Sequence, residues 1–309
     1  MSEVGKGRIV IAGGSGFLGQ ALIREFQSHG YEIVVLTRSR KKPGEVQTVV
    51  WDGETVGEWA GFLNGAVAVV NLAGEAITQR WTDENKKKIL DSRIKSTEVI
   101  GKAIRACSSP PKVWINASGV GYYGDCGDRE LDEDSPAGEG FMSEVCLAWE
   151  RAQEQSEVPG TRKVRLRIGA VLGRGGGAFE ELAKFTKMFL GGSQGSGKQW
   201  MSWIHVEDLA RIFRWAVESD FSGAVNGVSP KPERNSDLMA AMREAYGRPW
   251  SPPAPGFAMK LAGSVLGLQT DILLQSQRAA SKVLRDREFE FKWPELRQAL
   301  ENLRDQDTK

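Results

Sequence analysis

The chain has 309 residues, enough to bury a sizeable core as one large domain or two. Its 41 lysines and arginines balance 40 aspartates and glutamates, which leaves no net field to attract nucleic acid or an anionic membrane. Cys107, Cys126 and Cys146 are odd in number and show no C-x-x-C spacing, so neither a disulfide framework nor a zinc site is expected. A reduced, cytoplasmic protein is the expectation. Few residues precede the first strand, so no signal or transit peptide is expected. The longest apolar stretch near the end, Gly256 to Leu268, carries Lys260 and is too short to span a bilayer.

The chain opens on R-I-V-I-A-G-G-S-G-F-L-G from Arg8 to Gly19, where apolar residues Ile9 to Ala12 run into a glycine turn. Phe17, Leu18, Ala21, Leu22 and Phe26 then recur at helical spacing, which reads as strand, tight turn, helix. In such a unit one of the glycines at 13, 16 and 19 turns the chain. Another admits a pyrophosphate close to the backbone, and the third lets the helix sit on the strand. Amides at the helix start then face an anion. The spacing G-x-x-G-x-x-G differs from the dehydrogenase G-x-G-x-x-G, but its strand-to-helix context points to dinucleotide binding.

A second strand, Glu32 to Leu36, ends in T-R-S-R-K-K from Thr37 to Lys42. An acidic residue at this strand end would meet a ribose 2′-hydroxyl, whereas a basic one accommodates a 2′-phosphate, so Arg38 argues for NADP(H). Val67 to Leu72 is a further strand ending in Ala73-Gly74-Glu75, small residues that let backbone approach a ribose or pyrophosphate. A long helix from about Thr82 to Ala106 carries a mostly solvated basic face. Arg93 borders the apolar side set by Ile89, five residues past Lys88, so one of the two can turn inward to a phosphate.

Lys112 to Ser118 and Lys163 to Ile168 read as strands and Phe141 to Gln155 as a helix between them. This repeated β-then-α order indicates an α/β fold with a Rossmann-type doubly wound parallel sheet. A helix Ala178 to Leu190 follows. The loop Gly192 to Lys198 fits G-x-x-x-x-G-K, yet Gln199 cannot replace the magnesium-binding Ser/Thr and no strand precedes it, which excludes a P-loop. Trp203 to Glu218 opens a helix with Glu207 and Asp208 near its start, and Gly223 to Val228 is a short strand. Ser236 to Tyr246 is a helix that Ser236 or Asn235 caps, and prolines from Pro249 to Pro255 mark a rigid connector. Phe257 to Leu303 is expected to be helical with one break, a strand-like Glu288 to Lys292, and a final helix begun by Pro294.

Taken together, these segments resemble the extended, epimerase-type short-chain dehydrogenase/reductases. More narrowly the chain is similar to an atypical epimerase-like subgroup, labelled sugar-nucleotide epimerase or cell-division-inhibitor-like, with a C-terminal domain of unknown function. The resemblance spans the full length. It rests on G-G-S-G-F-L-G (13 to 19), T-R (37 to 38), N-L-A-G-E (71 to 75), D-S-R (91 to 93) and S-G-V-G-Y-Y-G (118 to 124) in the first half. R-I-G-A-V-L-G-R-G-G-G-A (167 to 178), W-I-H-V-E-D-L-A (203 to 210) and L-L-Q-S-Q-R-A (273 to 279) carry it through the second. It implies an NADP-binding Rossmann domain over residues 1–168, with 203–228 returning to it. A smaller mixed substrate lobe with a helical extension would cover 169–309. It also implies cofactor contacts from Gly13, Gly16, Phe17, Leu18, Thr37, Arg38, Leu72, Ala73, Lys88, Arg93 and Val171.

One departure governs function. Members of the family shuttle a proton with Tyr-x-x-x-Lys, the lysine lowering the phenol pKa, while a nearby serine orients the substrate. Here Tyr31, Tyr122, Tyr123 and Tyr246 are followed four places on by Val35, Cys126, Gly127 and Trp250, and the helix expected to carry the pair reads F-M-S-E-V-C. Ser118 and Tyr123 are the catalytic candidates, with Tyr122 and His205 as further proton carriers, although His205 beside a helix start also suits a packed, hydrogen-bonded role. Two readings stand. The chain is an NADP(H)-dependent oxidoreductase or epimerase-like enzyme for an unknown small carbonyl or sugar-type substrate, or it binds and senses NADP(H) without turnover and acts through a protein partner. A homo-oligomer is compatible with either.

Overall fold

The computed structural model describes residues 5–38, 46–266 and 269–305. Of the basic run after β2, Ser39 to Lys42 lie outside the described residues. Strands β1 (Arg8–Ala12), β2 (Glu32–Thr37), β3 (Gln47–Val50), β4 (Ala68–Asn71), β5 (Val113–Gly119), β6 (Arg162–Ile168) and β7 (Gly223–Gly227) form a seven-stranded sheet. Its order is β7-β6-β5-β4-β1-β2-β3, parallel throughout. The order reverses between β1 and β4, and in open α/β sheets such a reversal makes a crevice at the strand C-termini.

Alternate side chains of each strand enter opposite layers, as the period of two requires. Ile9 and Ile11 of β1 join Ile33, Val35, Ile115 and Leu166 beneath helices α1 (Phe17–Ser28) and α5 (Val206–Glu218). Val10 and Ala12 face the other way, toward helix α2 (Asp83–Arg105), with Val34, Leu36, Val69 and Trp114. Helix α2 starts where Thr82 accepts the Asn85 N–H, acidic residues fill its first turn, and Lys102 and Arg105 its last, all favourable to the helix dipole. Strand β6 is apolar only on the α1/α5 side. Its other face offers Lys163, Arg165 and Arg167 to helix α3 (Phe141–Glu154), where Glu150 and Glu154 meet the arginines. The edge strand β3 has no expectation in the sequence, because Q-T-V-V is short and only half buried.

A second core closes the C-terminal lobe. Phe179 and Leu182 of α4 (Gly177–Lys187), Leu238 and Met242 of α6 (Asn235–Ala245), and Leu300 and Leu303 of α9 (Leu296–Asp305) pack around Trp203. The tail expectation needs revision. Residues after the prolines form α7 (Gly256–Leu266), a 3-10 turn Asp271–Leu274, a short strand Arg278–Ala279 parallel to Glu130–Leu131, and α8 (Lys282–Asp286). Asn235 does not cap α6; it begins that helix, is buried, and accepts the Gln194 N–H. Glu288 to Lys292 is not a strand, and Pro294 precedes the final helix by two residues. The N–H groups of Lys292 and Trp293 go to Asp208 Oδ1 and Oδ2, both at 2.7 Å, so they have no strand partner to seek.

That carboxylate fixes the tail to the sheet domain. Asp208 is fully buried in the first turn of α5 and also takes Arg211 Nη1 at 3.0 Å, while Glu207 Oε2 receives the Trp293 indole and Lys292 Nζ. No described helix is long and apolar enough to cross a membrane. Replacing Asp208 by alanine takes the shared acceptor from two part-buried backbone donors and is expected to cost about 2–4 kcal/mol. A urea titration checks this; a midpoint within error of wild type would contradict the clamp.

Candidate cofactor cleft and active site

The three glycines of the opening turn have separable geometries. Gly13 has φ +76°, and a Cβ there would lie 3.0 Å from the carbonyl carbon of Leu72 and 3.1 Å from Ala73 N. Only glycine lets the β1 turn meet the end of β4. At Gly19 a Cβ would fall 2.3 Å from Gly14 Cα, so its bareness seats α1 on the turn. Gly16 differs: it caps α1 with φ −80°, and its hypothetical Cβ meets only Gly13 O at an ordinary 3.6 Å. Among the described residues no atom needs residue 16 to be glycine. Its open side coincides with the helix N-terminus, where backbone amides favour an anion.

Phe17 forms the wall beside this turn. Cβ atoms on Gly173, Gly176 and Gly177 would come within 2.7 to 2.9 Å of its side chain, so the glycine run after the strand Ala170–Gly173 wraps the ring. Val171 lies buried in that strand, and Leu18 and Leu72 pack at the edge of the same core. Leu72 N donates to Ala12 O, and Ala73 N to Asn71 Oδ1, which shapes the β4 end.

At the β2 end Thr37 is buried with its hydroxyl 3.3 Å from that of Ser15, while Arg38 projects into solvent and pairs with Glu75 at 2.5 Å. Arg93 turns inward. It donates from Nη1 to the carbonyls of Glu75 and Ile89, its guanidinium carbon sits 3.0 Å from where a Gly74 Cβ would be, and Trp149 lies 5.0 Å away. Burial holds its pKa below the usual guanidinium value, and among the described residues no carboxylate pairs with it. Lys88 points the other way, exposed and salt-bridged to Glu84 at 2.6 Å one helical turn back. Five residues is 500° of helix, so Lys88 and Arg93 lie on different faces of α2, and it is Arg93 that turns inward.

Ser118 and Tyr123 belong to a network that the sequence does not reveal. Ser118 donates to Glu150 Oε1 at 2.7 Å, and Glu150 forms a two-pronged pair with Arg167 Nε and Nη2, each 2.9 Å. Arg167 Nη1 donates to the Tyr123 hydroxyl at 3.0 Å. That hydroxyl lies 2.7 Å from its acceptor Asn226 Oδ1 and 2.9 Å from the carbonyl of Asp132. Tyr123 is fully buried, and desolvation pushes its pKa up to about 12 despite the opposing Arg167 charge. Burial also acts against the Arg167 charge, but Glu150 more than offsets it and the net shift is upward. Both hydroxyls are engaged within the network in this arrangement. Helix α3 adds a buried Cys146, raised by desolvation to about 11. Tyr122 is the contrast: half-buried, its ring 3.5 Å from the Arg167 guanidinium carbon, with no partner for its hydroxyl among the described residues. His205 accepts the Glu207 N–H through Nδ1 as the cap of α5 and stacks 5.2 Å from Trp293. Burial lowers its pKa against the pull of Glu207 and Asp208, which suits a structural neutral imidazole.

The model of the NAD dependent epimerase/dehydratase family matches residues 9–228, and a domain of unknown function, DUF1731, matches 254–303. The human epimerase family protein SDR39U1 is 36% identical over 304 residues, covering 96% of this chain and 99% of the relative. A crystal structure of human SDR39U1 (isoform 2) with NADPH superposes with a TM-score of 0.87 at 35% identity, over 96% of this chain and 99% of that one. The nucleoside-diphosphate sugar epimerase from Corynebacterium glutamicum superposes at 0.77 with 31% identity, over 96% of this chain and 58% of that one.

Two substitutions probe the buried network. Glu150→Ala leaves Arg167 uncompensated and is expected to lower stability by about 3–5 kcal/mol in chemical denaturation. Tyr123→Phe tests the raised phenol. Because the folded pKa of about 12 exceeds the ordinary tyrosine value of 10.0, the tyrosine's contribution is intact below pH 10 and is lost as pH rises toward 12. The stability gap between wild type and Tyr123→Phe should therefore narrow over that interval; a constant gap would place the hydroxyl in a solvated setting.

Proposed function

The chain belongs to the NAD-dependent epimerase/dehydratase family, and from that membership we propose that it is an NADP(H)-binding enzyme. In this reading it is an oxidoreductase or epimerase-like catalyst for a small carbonyl or sugar-type substrate. Residues 1–168, with 203–228, form the cofactor domain, and 169–309 the substrate lobe. The observation that carries the reading is Gly16, bare for no reason internal to the protein and beside the amides that begin α1. A diphosphate drawn against those amides explains the missing side chain.

The residues present fit this cofactor. Gly13 and Gly16 admit the diphosphate, Arg38 offers its guanidinium to a 2′-phosphate beside Thr37, and Phe17, Leu18 and Val171 supply an apolar wall. The backbone at Leu72 and Ala73 and the inward guanidinium of Arg93 border the other half of the crevice. A nicotinamide supplies hydride donation or acceptance. The chain's own contribution is then to hold the partner carbon and manage one proton. With Ser118 and Tyr123 committed to Glu150, Arg167 and Asn226, Tyr122 is the candidate donor, half-buried with its ring against the Arg167 guanidinium. The same commitment of Ser118 and Tyr123 favours a second reading, in which NADP(H) is bound and sensed without turnover.

Gly16→Ala should leave thermal stability within about 1 kcal/mol of wild type and weaken NADPH at least about tenfold. Gly19→Ala should instead destabilise the fold, by about 2 kcal/mol or more. Unchanged NADPH affinity in a folded Gly16→Ala protein would remove the diphosphate assignment. A panel of carbonyl compounds offered to the NADPH-loaded protein separates the two functional readings. Oxidation that drops at least about tenfold in Tyr122→Phe supports the enzyme; saturable binding with no oxidation of NADPH supports the sensor.

A further inference from the structure

The guanidinium at the end of β2 already has an anion. Arg38 Nη1 lies 2.5 Å from Glu75 Oε1, with the arginine side chain 70% exposed and the glutamate 34%. The pair sits on the rim of the crevice, open to water and to any ligand that enters. Glu75 follows β4 and Arg38 follows β2, the two strands that flank β1 in the sheet order.

The main chain that presents Glu75 is held at both ends. Its N–H donates to Ser92 Oγ at 3.0 Å, and its carbonyl accepts Arg93 Nη1 at 3.1 Å. Gly74 packs so closely on Arg93 that a Cβ would lie 3.0 Å from the guanidinium carbon. The backbone is therefore pinned while the carboxylate remains free to rotate about its own bonds. This combination keeps a negative charge permanently within reach of Arg38 without locking it there.

We propose that Glu75 is an internal competitor for the anion site at Arg38 and sets the discrimination between 2′-phosphorylated and unphosphorylated dinucleotides. The proposal deepens the NADP(H) reading and rests on it. A phosphate monoester brings about −1.5 to −2 charges near neutral pH. To reach Arg38 it must displace the carboxylate or share the guanidinium with it, and either course lowers affinity. A ribose 2′-hydroxyl carries no charge, leaves the ion pair intact, and finds in the carboxylate a hydrogen-bond acceptor of the kind that unphosphorylated ribose prefers. Glu75 thus narrows the preference for NADPH over NADH. An ion pair this exposed is weak, so the effect is modest and depends on salt.

Fluorescence titration of the full-length protein with NADPH and NADH tests the proposal. In Glu75→Gln, NADPH affinity should rise about three- to tenfold at low ionic strength, NADH affinity should stay level or fall, and the gain should shrink in about 0.5 M salt. The gain should also vanish in an Arg38→Ala background, since the competitor then has nothing to occupy. Weaker or unchanged NADPH binding in a Glu75→Gln protein that retains wild-type circular dichroism overturns the proposal. If Arg38→Ala selectively loses NADPH while Glu75→Gln gains nothing, only the competitor role falls. If Arg38→Ala leaves the NADPH-to-NADH ratio unchanged, the phosphate assignment falls with it.

Discussion

The crevice depends on one steric contact, the meeting of Gly13 with the Leu72–Ala73 peptide. A side chain on residue 13 would overlap that peptide and would also need the left-handed backbone that φ +76° imposes. The close approach brings the ends of β1 and β4 together where the strand order reverses, and so defines the space between Phe17 on one side and Arg93 on the other. Backbone amides, the exposed Arg38 and the inward Arg93 all border that space. Their positive character follows from the fold: helix starts and strand ends converge there, and α2 turns Arg93 inward.

The sheet edge beyond β5 is governed by a different constraint. Arg167 is almost wholly buried and would be costly there alone. Glu150 meets it with both oxygens, Tyr123 and Ser118 complete the shell, and Asn226 ties β7 to the same network. The Ser118 and Tyr123 hydroxyls are absorbed in solvating this buried ion pair. On the enzymatic reading proposed above, a proton carrier at this end of the crevice is sought outside the network, at Tyr122.

Much of this was legible in the sequence because it is local. The apolar runs of β1, β2, β4, β5 and β6, the glycine turn, and the position of Arg38 follow from patterns a few residues long. What escaped is non-local. Glu150 looks like any helix acid until β6 places Arg167 opposite it, although the alternating charges of R-K-V-R-L-R were a visible hint that one face of that strand is polar. Lys88 was placed by resemblance, and helical angle alone would have excluded it once Arg93 was chosen. Glu288 to Lys292 alternates like a strand, E-F-E-F-K, and that pattern succeeds in burying aromatic residues: Phe289 and Phe291 meet edge to face at 5.0 Å against the core of the sheet domain. It misleads about hydrogen bonding, since the nearby amides go to Asp208.

The tail is held through its peptide groups. Asp208 binds the N–H groups of Lys292 and Trp293, and Glu133 binds those of Lys282 and Val283 at 2.9 and 3.4 Å as well as the Ser281 hydroxyl. Main-chain donors are the same for nineteen of the twenty amino acids. The amide share of this docking at positions 282, 283, 292 and 293 is therefore indifferent to side-chain identity so long as proline is kept out, while the two acids that receive the amides have no comparable latitude.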